Sequence, residues 1–138
     1  MPTPTPSEVL QHGLDLLLAK DMPGFIGLYA DDAVMEFPFA PPGAPRRLDG
    51  RQQVHDYLID YPANIDMHEI SDVNVMVTDD PEVIVAEFTA RGLMVAAGTP
   101  YQARYIAVLT IRDGRIQHYR DYWNPMLLTG QVTGMETA

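Results

Sequence analysis

The run Tyr119-Arg120-Asp121-Tyr122-Trp123-Asn124-Pro125 sets one carboxylate, Asp121, among aromatic side chains near the end of the chain. A carboxylate buried against rings loses hydration. Its pKa then rises toward neutrality, as a group that takes up and returns protons at pH 7 requires. A nearby Arg104 opposes that shift by favouring the charged form. Trp123, the single tryptophan, offers a flat wall for stacking. Tyr29, Tyr57, Tyr105 and Tyr119 each carry a hydroxyl able to meet a ligand, with Tyr57 and Tyr119 the better placed of the four. His12, His55, His68 and His118 show neither i, i+4 helical spacing nor a His-x-His strand pattern, and there is no cysteine. No metal site is therefore expected. No glycine-rich phosphate loop, nucleophile elbow or Ser-His-Asp order occurs either, so no cofactor is expected.

The elements that must hold Asp121 start from Arg112-Asp113-Gly114-Arg115, where Asp-Gly supplies the two positive-φ residues of a type I′ hairpin turn. Counting outward without a bulge sets Val108 opposite Tyr119, Ile106 opposite Asp121 and Arg104 opposite Trp123 on one sheet face. Tyr105, Ala107, Leu109, Ile111, Ile116, His118, Arg120 and Tyr122 then take the other face. One bulge shifts this assignment by a residue.

Upstream, Ser7 is a helix cap ahead of Leu10, Leu14, Leu17 and Leu18 at helical spacing. Asp21 caps a shorter helix with Pro23 in its first turn and Phe25, Ile26, Leu28 and Tyr29 as apolar content. Residues 33–39 read as a strand, followed by a proline-rich loop. Asp49 and Gln52 form a capping-box pattern opening a third helix with Val54, Tyr57, Leu58 and Tyr61 on one face, ended by Pro62. Alternating or β-branched runs over about 67–78, 83–97, 100–112 and 115–124 follow. Three helices and then four long strands make an α+β domain.

At 138 residues the chain is one domain, expected over 7–125, with a disordered tip at 1–6 and a loosely held tail at 126–138. A net charge of −10, with no basic run, excludes nucleic acid and anionic membrane as partners. The N-terminus lacks the pattern of a signal peptide, and no apolar stretch reaches the roughly 20 residues of a membrane span. A cytoplasmic location is expected.

The order of these elements, together with Leu28-Tyr29-Ala30-Asp31-Asp32-Ala33-Val34, Leu48-Asp49-Gly50-Arg51 and Tyr119-Arg120-Asp121-Tyr122-Trp123, resembles the SnoaL-like branch of the nuclear transport factor 2-like superfamily. It is similar to the phenazine-biosynthesis A/B-type proteins and to polyketide cyclases. The resemblance implies a curved, mixed but mainly antiparallel sheet wrapped around three helices as a cone with a central pocket. It also implies a homodimer through the outer sheet face. Asp121 stands where the phenazine-type proteins carry an acid-base glutamate, one methylene longer. Their third-helix histidine points to His55. Limonene-epoxide hydrolases end similarly but need an Arg-x-Asp pair where this chain has Phe88 and Ala90, and ketosteroid isomerases need acids missing near Phe37 and from Tyr101 to Ile111. Neither chemistry is expected.

The expected function is a cofactor-independent isomerase, cyclase or dehydratase for a small apolar or aromatic metabolite. Asp121 and His55 are the catalytic candidates, and Tyr57, Tyr119, Trp123, Arg104 and Tyr29 the substrate-binding ones. The alternatives are a non-catalytic small-molecule-binding module and an interaction scaffold.

Overall fold

A computed structural model describes residues 2–124. The first helix, α1 (Pro6–Leu18), is capped by Thr5, two residues before the expected Ser7. Thr5 Oγ1 accepts from the Glu8 amide at 3.2 Å while Glu8 Oε1 accepts from the Thr5 amide at 2.9 Å. That reciprocal box, with Pro6 at a position needing no amide hydrogen, fixes the start. Val9, Leu10, Gly13 and Leu14 form the buried face, and Leu18 turns to solvent. Helix α2 (Met22–Ile26) is capped by Asp21, whose Oδ1 accepts from the Gly24 amide at 2.9 Å.

Tyr29, expected at the end of α2, instead begins β1 (Tyr29–Glu36). The strand stops before Phe37 and Pro38, because proline has no hydrogen for a ladder. A short strand, β2 (Arg47–Asp49), pairs with β1 and was too brief to show in the pattern. Helix α3 (Arg51–Leu58) starts from Gly50 at φ 88° without a side-chain cap, and the Asp49 amide bonds Gln53 at 2.8 Å in place of the expected Asp49–Gln52 box. It ends before Pro62, which opens a separate turn, α4 (Tyr61–Asn64).

Four long strands follow: β3 (Ile65–Val77), β4 (Val83–Met94), β5 (Thr99–Arg112) and β6 (Arg115–Tyr122). The sheet order is β2-β1-β6-β5-β4-β3, with β1 and β6 parallel and every other pair antiparallel. The domain is thus α+β with a mixed sheet, as expected. Asp113 and Gly114 adopt φ of 54° and 76°, and Arg112 faces Arg115, as the Asp-Gly turn demands.

One sheet face packs on the helices, and the alternation along β5 is complete. Tyr101, Ala103, Ala107, Leu109 and Ile111 are buried, whereas Arg104, Ile106 and Arg112 are exposed. The main core joins α1, α2 and α3 to the inner face through residues such as Leu14, Phe25, Val54, Ile84, Phe88 and Leu109. A second cluster, Met67, Ala90, Tyr101 and Ala103, lies toward the other end of the long strands. Tyr61 and Tyr105 pack against both. At the β3–β4 pair the backbones approach so closely that a Cβ on Gly92 would lie 2.0 Å from the Asp66 carbonyl oxygen. Among the described residues, no helix is long and apolar enough to cross a membrane.

Candidate active site

The pairing of β5 with β6 contains one irregularity, between Thr110 and Ile111, that leaves Gln117 without an opposite residue. Beyond it Leu109 faces Tyr119, Ala107 faces Asp121 and Ile106 faces Tyr122. The bulge-free register is therefore corrected by one residue. Tyr105, Ala107 and Leu109 join Tyr119 and Asp121 on the inner face. Arg104, Ile106, Val108, Arg120 and Tyr122 move to the outer one.

The residues flanking Asp121 across the sheet are small. Asp121 lies beside Ala107, and Ala107 beside Ala86. Both of its cross-strand neighbours in that row carry only a methyl group. The adjoining rows are bulky, with Tyr119, Leu109 and Ile84 on one side and Tyr105 and Phe88 on the other.

Asp121 Oδ1 is fully buried and has no hydrogen-bond partner among the described residues. The residue as a whole keeps some accessible surface, although Oδ1 has none. Burial pushes its pKa from 3.8 to about 7, because removal from water penalises the charged form. That is the tuning an acid-base group needs at neutral pH.

Six of the seven tyrosines lie within range of this carboxyl's charge. Burial, with the Asp121 charge adding to it, raises the hydroxyl pKa values of Tyr29, Tyr57, Tyr61, Tyr105 and Tyr119 and pushes that of Tyr101 to about 12. All six hydroxyls stay protonated at neutral pH and so can donate a hydrogen bond. Tyr101 and Tyr105 bond each other through their hydroxyls, close to Tyr61. The Tyr29 hydroxyl is buried and, like Asp121 Oδ1, has no partner among the described residues. Its ring stacks on Tyr119 at 6.3 Å and meets Phe25 edge-on at 5.5 Å. Tyr122, the seventh, packs on the exposed Phe39 on the outer side.

The expected site residues thus divide. Tyr29 and Tyr119, stacked on each other, and Tyr57, which is 45% exposed on α3 against Phe37 at 5.2 Å, all lie within range of the Asp121 charge. Trp123 packs against the main core. Arg104 is not brought to the carboxyl: the bulge turns it outward, where it donates to Thr89 Oγ1 at 2.8 Å. His55 is half-exposed and bonds Asp56 at 3.2 Å. Tyr61 and Tyr101 were missed, Tyr61 because α4 is a separate turn and Tyr101 because it sits beside a proline at a strand start. The fully alternating β5 pattern was the signal that groups Tyr101 with Tyr105. Among the described residues no three acidic or histidine side chains gather as metal ligands.

A groove along α1, lined by Glu8, Gln11, His12, Asp15, Leu16 and Ala19, involves none of these groups. Its polar side chains include two bonded pairs, Glu8 with Thr5 and Gln11 with Asp15.

Residues 10–119 match the model of the SnoaL-like domain, so the match covers the frame and stops two residues short of Asp121. The chain is 40% identical to the uncharacterised protein YesE of Bacillus subtilis over 121 residues, covering 88% of this chain and 82% of YesE. It is 36% identical to the uncharacterised PhzA/B-like protein PA3332 of Pseudomonas aeruginosa over 131 residues, covering 95% and 92% of the two chains. A crystal structure of a Bacillus subtilis protein provisionally called an isomerase superposes with a TM-score of 0.85 at 38% identity, covering 90% and 89%. A more distant match, at 21% identity and a TM-score of 0.74, shares the fold over 88% of this chain and 95% of its own. It is RV0760c of Mycobacterium tuberculosis, crystallised with estradiol-17β-hemisuccinate.

Proposed function

The chain belongs to the SnoaL-like family, and from that premise we propose that it is a cofactor-independent acid-base enzyme. It acts as an isomerase, cyclase or dehydratase on a small apolar or aromatic metabolite. The observation that carries this reading is Asp121 Oδ1, buried without a partner among the described residues on a carboxyl whose pKa lies at about 7. A structural carboxylate would be paired or solvated, since an unpaired buried one costs folding energy.

In the proposed step, ionised Asp121 removes a proton from the carbon beside a substrate carbonyl. The C–H electron pair becomes the new C=C bond, and the carbonyl π pair moves to oxygen. A tyrosine hydroxyl, best placed in Tyr29 or Tyr119, stabilises that oxygen by hydrogen bonding. Asp121 then returns the proton to a different carbon, or the enolate carbon attacks a second carbonyl. No metal or nucleotide is required for either outcome. Tyr57 and Trp123 orient the substrate. The raised tyrosine pKa values suit donors that stabilise an oxyanion without losing their own proton.

The outer sheet face supports a homodimer in this reading. Val85 lies beside Val108, and Ile106, at 40% exposure, beside Tyr122. These side chains form an apolar strip that a second copy would cover.

The direct test follows loss of α-proton signals from a panel of enolisable cyclic ketones in deuterated buffer by NMR. Wild type is expected to exchange at least one, and Asp121→Asn none. Equal exchange by both proteins would remove Asp121 from the mechanism.

A further inference from the structure

The polar groups around Asp121 include no cation, and this follows from where every lysine and arginine lies. Lys20, Arg51, Arg91 and Arg112 are held by Asp66, Asp31, Glu69 and Glu82. Arg104 and Arg120 stand on the outer sheet face. Arg115 donates to the Gly27 carbonyl, Arg46 is exposed ahead of β2, and Arg47, the first residue of β2, pairs with Asp49. His55, His68 and His118 each face an acid, and His12 is exposed on α1. Residues 125–138 contain no lysine, arginine or histidine. No positive side chain is therefore available to the carboxyl from any part of the chain.

Two buried polar atoms lack partners among the described residues, and both belong to this site: the Tyr29 hydroxyl and Asp121 Oδ1. They do not bond each other, and the Asp121 charge is felt at the Tyr29 hydroxyl. An uncharged oxygen can satisfy either group. A hydroxyl can accept from Tyr29 or donate to the carboxylate, and a ketone oxygen can accept from Tyr29. A carboxylate would meet a second carboxylate with no cation to offset the repulsion. An ammonium group has no lone pair for the Tyr29 hydrogen.

We infer that this site takes a neutral ring compound bearing a hydroxyl or ketone oxygen, and excludes carboxylates. The inference rests on the reading of Asp121 as the pocket-facing acid-base group. It adds the charge class of the substrate, which sets this chain apart from any relative acting on an acid.

The test is a ligand-observed NMR titration at pH 6 and pH 8 with four probes of one ring: naphthalene, 2-naphthol, 2-naphthoate and 2-naphthylmethylammonium. Wild type is expected to bind 2-naphthol about tenfold more tightly than either charged probe, the size of effect one well-made buried hydrogen bond gives. Tyr29→Phe, with its fold checked by circular dichroism, should bring 2-naphthol close to naphthalene. Asp121→Asn should narrow the gap to 2-naphthoate at pH 8, where the wild-type carboxyl is ionised. A charged probe binding as tightly as 2-naphthol would overturn the inference, and no binding by any probe would overturn both it and the pocket reading. The expected binding order with undiminished deuterium exchange in Asp121→Asn would leave the inference standing and sink only the catalytic role.

Discussion

Asp121 lies directly opposite Ala107 in the β5–β6 pair, so the carboxyl has a methyl group as its cross-strand neighbour. In the proposed function, substrate enters over the low-volume row of Ala107 and Ala86, between the bulkier rows that carry Tyr119 and Tyr105.

Filling that row should close the site. Ala107 is fully buried, so Ala107→Leu is expected to cost roughly 1–3 kcal/mol of stability by overpacking and to abolish binding of naphthol-sized probes. Chemical denaturation and ligand titration on the same variant measure both. Unchanged binding would mean that substrate does not enter beside Ala107.

Burial of Asp121 also sets a pH dependence of folding. Its folded pKa of about 7 lies above the 3.8 of an unburied aspartate, so between those values the native state holds more protons than the unfolded one. Stability from this group is complete below pH 4 and is lost as pH rises toward and through 7. At about 1.4 kcal/mol per pKa unit, the loss is bounded at about 4 kcal/mol. Asp121→Asn should flatten this slope and exceed wild type in stability at pH 8. Urea unfolding at pH 4.5, 6 and 8 reads the difference, and parallel profiles for the two proteins would contradict it.

A different position tests the frame alone. A Cβ at residue 92 would stand 2.0 Å from the Asp66 carbonyl oxygen, so Gly92→Ala must separate β3 from β4 locally. A cost of roughly 2–3 kcal/mol is expected, with pKa of Asp121 unchanged, because the strain falls on the far edge of the sheet. Thermal unfolding measures it, and a neutral effect would show that the two strands are held less closely.

Much of this was legible in the residues. The Asp-Gly turn fixed the β5–β6 hairpin, and the helix–strand order with its motifs pointed to the family whose domain model matches. The register beyond the turn was not legible. A bulge of one residue at Gln117 leaves no compositional mark, yet it exchanges the faces of β5 and so replaces Arg104 by Tyr105 at the site. Tyr29 was assigned to a helix because its apolar neighbours at Phe25 and Ile26 continue a helical pattern. The pairing of β1 with the distant β6 overrides that local preference. Tail residues 126–138, expected to be loosely held, lie outside the described residues.

The most direct measurement of the central claim is a carbon-detected NMR titration of the Asp121 carboxyl, assigned with Asp121→Asn. The account predicts a midpoint near pH 7, the signature of a desolvated carboxyl without a cation. A midpoint at or below about 3.9 would describe a solvated or paired carboxylate, and would contradict the acid-base role.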